Sequence, residues 1–236
     1  MASILRKGCY LLSFFTIFAV QYYKPIRLSK AKLVSINTLK MILPIIGYGD
    51  PVLRKVGVDI DVNDPTLKET IANMYETMYN AHGVGLAAPQ VGLPIRLFII
   101  DTSPFSDDED LPKEEQLQLA SFKKTFINAK ILKEEGEEWG FNEGCLSIPE
   151  VREDVYRHET VTIEYLDEEF NKKTEVYDGL IARVIQHEYD HIEGILFTDL
   201  ISSLKKQLIK KKLSNIMEGK TRPDYKMKFA APKKGR

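Results

Sequence analysis

The segment Gln186-His187-Glu188-Tyr189-Asp190-His191 carries the clearest chemistry in this sequence. Two histidines four positions apart on a helix point both imidazoles at one ion, and the glutamate between them stands beside the same point as a proton carrier. Two histidines leave a tetrahedral site one protein ligand short, so the third ligand decides what the site can do. One known pattern continues to a glycine and then a third histidine. Gly194 is present here, but Phe197 stands where that histidine should be. Another pattern takes a glutamate well downstream, yet Asp199 is the only acid between Gly194 and Met217. Upstream, Glu143-Gly144-Cys145-Leu146-Ser147 sets a thiol between a glycine and a strand-like run, and Cys145 is the strong ligand that remains.

A third segment, Gly83-Val84-Gly85-Leu86-Ala87-Ala88-Pro89-Gln90, is built from residues with little bulk. Glycine and alanine let a backbone approach a ligand closely, and Gln90 offers an amide that can donate to an oxygen turning negative.

Helices and strands must hold these segments together. Leu67, Ile71, Met74, Tyr75 and Met78 recur at three- and four-residue spacing, which predicts a core-facing helix from an Asp64-Pro65 start to about His82, with Gly83 as its left-handed cap. Runs rich in β-branched and aromatic residues predict strands at Arg96–Ile100, Phe126–Leu132, Thr160–Leu166 and Lys172–Tyr177, the last two joined as a hairpin by the turn Asp167–Asn171. The acidic stretch from Thr102 to Lys124 lacks strand alternation and reads as a surface insertion without chemistry. A second helix from about Asp178 puts Leu180, Val184, His187 and His191 on one face, and a third runs from about Ser202 to Met217. The fold expected is α+β, with antiparallel or mixed strands around the metal-bearing helix.

The chain has 236 residues and a net charge of -1, enough for one catalytic domain with extensions. Its two cysteines, Cys9 and Cys145, make a structural disulfide a poor reading. No Asp or Glu precedes Asp50, whereas Arg6, Lys7, Lys24, Arg27, Lys30, Lys32 and Lys40 do. The apolar run Tyr10–Val20 is shorter than the roughly 20 residues that span a bilayer, so residues 1–40 read as a signal plus a transit-like leader into a plastid-type organelle such as the apicoplast. A catalytic domain over 41–204 and a basic C-terminal helix and tail over 205–236 complete the expected organisation.

In this order the three segments resemble the signature motifs of the peptide deformylases, GxGxAAxQ, EGCLS and QHExDH, with every defining position matched. The resemblance covers roughly Ile42 to Leu204. The departures are the acidic insertion, Ile192 where leucine is commoner, and the basic extensions. The resemblance implies that Cys145, His187 and His191 hold one divalent metal, Fe2+ by expectation, with Zn2+, Ni2+ or Co2+ able to substitute. Such an ion lowers the pKa of a bound water from about 15.7 toward 7. Glu188 then moves the proton, while the Gln90 amide and the Leu146 backbone N–H stabilise the substrate oxygen. Val84, Val184 and Leu180 are expected to wall a pocket for a methionine side chain, Gly85 to pair with the substrate backbone, and Arg152 to hold the peptide. The implied substrate is an N-formylmethionyl nascent peptide, which yields formate. The lysines of the last helix suggest a ribosome contact with no sequence-specific nucleic-acid readout, on a mature chain that is not an integral membrane protein. A zinc endopeptidase and a silent binding protein on the same fold are the competing functions. Phe197 argues against the first, and the intact Glu188 and Gln90 against the second.

Overall fold

The computed structural model describes residues 40–230, and the expected leader lies outside the described residues. In chain order the elements are β1 (Ile45–Ile46), α1 (Leu67–Asn80), β2 (Gly85–Ala87), β3 (Leu97–Asp101), α2 (Lys113–Ser121), β4 (Lys123–Cys145), β5 (Ile148–Leu166), β6 (Lys172–Asp178), α3 (Gly179–Ile192), α4 (Phe197–Leu200), α5 (Ser203–Met217) and β7 (Met227–Lys228). Five strands form an antiparallel sheet in the order β2-β3-β4-β5-β6, and β1 pairs in parallel with β7. This is the α+β arrangement that the sequence implies. Among the described residues, no helix is long and apolar enough to cross a membrane.

Strand β3 explains why the sheet is covered on both sides. Its residues alternate between faces, so Leu97 and Ile99 join the cluster built on α1, whereas Phe98 and Ile100 join the cluster that includes Ile181, Ala182, Ile185 and Ile192 of α3. All five residues of β3 are buried. Each fully buried side chain of this kind contributes about 1.5–3 kcal/mol, so the sheet clamps α3 firmly where the ligands sit. The expected apolar stripe of α1, Leu67 to Met78, is buried throughout.

The ends of α1 differ from expectation. The Asp64 carboxylate accepts from the Thr66 N–H at 2.8 Å, forming a tight turn that moves the helix start to Leu67. At the other end His82 takes the left-handed conformation, with φ of 54°, in place of Gly83. Gly83 is needed for closeness instead, because a Cβ there would lie 2.8 Å from Leu146 Cδ1.

The hairpin of β4 and β5 is far longer than alternation suggests. Residues 132–138 are exposed on both sides, and the register shifts at several bulges, so no period-two pattern marks the continuation. The long arms bring Leu146-Ser147 to the tip as a tight turn between Cys145 and Ile148.

The stretch 102–124 is more than a surface insertion. Leu119 of α2 is buried in the core, and its carbonyl accepts from the Thr102 hydroxyl at 2.8 Å. At the C-terminus, Ile209 and Ile216 of α5 pack with Val151, Val155, Leu196 and Phe197. Leu204 and Leu208 stay exposed, so only part of the apolar surface of this helix is buried.

Candidate metal centre

One turn of α3 separates His187 from His191, and their ring centroids lie 5.2 Å apart. Cys145 ends β4, with Sγ 3.3 Å from His191 Nε2. One donor atom from each of the three residues falls within 4.8 Å of the others, so the set can close around a single ion. A thiolate with two imidazoles suits a borderline divalent metal and leaves a fourth position for water or substrate. The donor set therefore fits the metal that the motifs imply.

Glu143, two residues before Cys145 on the same face of β4, organises the surroundings. Its Oε2 accepts from His187 Nδ1 at 2.9 Å, which turns the other ring nitrogen toward the cluster. Arg157 grips both Glu143 oxygens at 2.7 and 3.0 Å, and Arg183 reaches Oε1 at 3.1 Å. Burial opposes the ionised form, but the hydrogen bonds and charges of His187 and Arg157 outweigh it and hold the Glu143 carboxyl well below the usual carboxylate range. Arg157 also donates to Asp190 Oδ2 at 2.7 Å.

Glu188 sits beside this cluster, 4% exposed, with Oε2 lacking any partner among the described residues. Burial is the main cause that pushes its carboxyl up to about 7, against the pull of His187. Gly85 makes room for it, since a Cβ at that position would lie 2.4 Å from Glu188 Oε1. On the other side, the Gln90 amide is pinned at its oxygen by the Ala87 N–H at 2.8 Å. Its NH2 group faces Cys145 Sγ and Ser147 Oγ, both at 3.4 Å.

A cavity of about 510 Å³ opens onto these groups. Val84, Gly85, Gln90, Leu146, Arg152, Val184, His187 and Glu188 line it. Leu180 does not. It borders a separate depression with Glu114 and Glu159, because two turns back along α3 is about 10.5 Å from His187. Arg152 is held by the Asn142 side chain at 2.9 Å, and the arginine beside Asp190 is Arg157. Several lining residues carry no sequence signal of their own: Phe105 from the supposed insertion, Phe141, and Pro223, Asp224 and Tyr225 from the C-terminal tail. Glu143 could have been found, since it opens the same five-residue segment as Cys145.

A donor set that can close around one ion, with a buried carboxylate beside it, is the arrangement of a mononuclear metal-dependent hydrolase. The family model described as polypeptide deformylase matches residues 42–207, and the chain belongs to that family. A peptide deformylase of Flavobacterium johnsoniae is 79% identical over 196 residues, which is 83% of this chain and 100% of that protein. That of Flavobacterium psychrophilum is 75% identical, covering 82% of this chain and 100% of its own. Among solved structures, a peptide deformylase from Legionella pneumophila is 35% identical with a TM-score of 0.64, covering 77% of this chain and 98% of that one. These relatives are bacterial, so the plastid-type destination expected from residues 1–40 is withdrawn.

Proposed function

We propose that this chain hydrolyses the formyl group from the N-terminal formylmethionine of newly made proteins, releasing formate and a free α-amine. The observation that carries this reading is the Cys145-His187-His191 cluster, with Cys145, His187 and Glu188 lining one pocket. Cys145, His187 and His191 would hold one divalent ion, Fe2+ by preference, which when bound supplies the Lewis acid that makes hydroxide available near neutral pH. Glu188 takes the proton of the attacking water and returns it to the departing amine nitrogen, a role that suits a buried carboxylate with a free oxygen. Gln90 donates its amide N–H to the formyl oxygen as that oxygen gains charge, because its own oxygen is already tied to Ala87. The Leu146 N–H, next to the thiolate ligand, is the second donor.

Val84, Phe105, Phe141 and Val184 give the pocket apolar walls suited to a methionine side chain. Strand β2 is the edge of its sheet, so the backbone at Gly85 is free to pair with an extended peptide. Arg152, at the exposed side, is assigned to the following residues. The test is an anaerobic assay of a short formyl-Met peptide that follows formate and free amine, with metal content measured on the same sample. General peptide cleavage without deformylation would sink this reading.

A ribosome contact through α5 is a further part of it, supported by exposed Leu204 and Leu208 beside exposed Lys206, Lys210 and Lys211. Lysines on RNA phosphates release counterions, so binding should weaken steeply with salt. Co-sedimentation with ribosomes that Lys210→Glu with Lys211→Glu leaves unchanged would remove it.

A further inference from the structure

After α5 the chain folds back onto the molecule. It bends at Gly219, with φ of 67°, and β7 then pairs with β1 through Ile45 N–H to Lys226 O at 2.8 Å and Gly47 N–H to Lys228 O at 2.9 Å. Phe229 closes over Gly47 so tightly that a Cβ there would lie 2.9 Å from its ring. Pinned at both ends, the intervening residues Pro223, Asp224 and Tyr225 run along the catalytic pocket.

The Tyr225 hydroxyl donates to the Leu146 carbonyl oxygen at 2.8 Å, and the Tyr48 N–H donates to the Ser147 carbonyl oxygen at 2.9 Å. Both carbonyls of the two-residue turn are thus held by groups outside the hairpin. The Leu146 carbonyl and the Leu146 N–H flank one Cα, so fixing the first restricts the direction of the second. A turn left free to rotate its peptide planes would aim that N–H only part of the time, and a misaimed donor stabilises nothing.

We infer that residues 223–225, held in place by the β7–β1 pairing, form a wall of the substrate pocket and that Tyr225 is a positioning residue acting through Leu146. The inference rests on the reading of Leu146 and Gln90 as donors to the substrate oxygen. The same wall sets the charge at the pocket mouth: Asp224 is exposed, 3.9 Å from His82, and lies on the same rim as Glu150 and Arg152. Asp224 favours formyl peptides with a basic residue beyond the methionine over those with an acidic one.

The experiment compares Tyr225→Phe, Asp224→Lys and Gln90→Ala with the metal-loaded wild-type enzyme. Tyr225→Phe removes one oxygen and keeps the ring. It should lower kcat on a short neutral formyl-Met peptide about tenfold, with KM, metal content and melting temperature nearly unchanged. Unchanged kcat, or a loss that merely follows metal loss or unfolding, overturns the positioning role. Gln90→Ala tells which premise failed: if it too leaves kcat intact, the reading of the donors is wrong, and if it lowers kcat while Tyr225→Phe does not, the tail alone is wrong. Asp224→Lys changes an exposed residue and should keep the fold. It should raise KM for a lysine-bearing formyl peptide and lower it for a glutamate-bearing one, each roughly two- to fivefold. An unaltered preference removes the tail from the substrate path.

Discussion

His187 Nδ1 and Glu143 Oε2 lie 2.9 Å apart, and the same carboxylate faces Arg157 and Arg183. Glu143 thus orients one proposed ligand and pairs with two buried guanidinium groups, Asp190 supplying Arg157 with a second anion. Glu143→Gln keeps the shape and removes the charge. It should weaken metal affinity roughly 10–100-fold, as loss of such an outer partner typically does. Glu143→Ala should also destabilise the protein by about 3–5 kcal/mol, because it leaves buried charge uncompensated. Competition for metal with a chelator and denaturant unfolding measure the two effects, and a Gln variant with wild-type affinity would refute the first.

Glu188 and Cys145 should respond in opposite ways. Glu188→Ala removes a proton carrier, so turnover should fall by roughly 10²–10⁴ while the metal stays bound. Cys145→Ser trades thiolate for a poor ligand, so metal content should drop and activity with it. Elemental analysis beside kinetics separates them. A Glu188→Ala protein that loses its metal would make Glu188 a ligand or a structural support.

Gly85→Ala places a methyl group 2.4 Å from Glu188 Oε1. The carboxylate must move, and a displaced proton carrier costs more in rate than in folding. We expect kcat to fall roughly tenfold or more, with only a modest change in melting temperature. Wild-type kcat in this variant would show that Glu188 need not hold its position.

Acid stability offers a check away from the site. Glu175 on β6 receives Lys124 Nζ at 2.7 Å and the Tyr165 and Tyr177 hydroxyls. Burial opposes its charge, but these donors win and bring its pKa from 4.5 down to about 2. A depressed carboxylate stabilises the fold above its unfolded pKa and loses that contribution as pH falls through the folded value. The Glu175→Gln variant should therefore be less stable than wild type at neutral pH, and the gap should shrink between about pH 4.5 and about pH 2. Melting temperatures across that window check it, and a constant gap would mean that Glu175 is not held ionised.

The three proposed ligands were legible in the sequence because histidine and cysteine are sparse and the helical period fixes where a pair at that spacing points. The α1 stripe and the β5–β6 hairpin were legible for a similar reason, since one face of each meets the core. Arg157 and Arg183 were not, because nothing local distinguishes a buried charge that meets its partner across the fold from one in water. The extended arms of β4 and β5 escaped for want of a core: exposed on both faces, residues 132–138 carry no period. Tyr225 was out of reach, since its partner Leu146 lies 79 positions away. Leu180 shows the converse error, in which a shared helix face was taken for a shared pocket.

The unequal footing of the long hairpin bears on how this enzyme can diverge. Its tip is a turn of two residues, so a single insertion between Cys145 and Ile148 would change the turn type and shift the pairing of the residues that flank the thiol. The solvent-exposed middle is already bulged where Glu135 gives way to Glu138 and can absorb added or lost residues without moving the tip. Length variation among descendants of this chain should therefore collect in the middle of the arms, leaving the few residues around the thiol as the inherited constant.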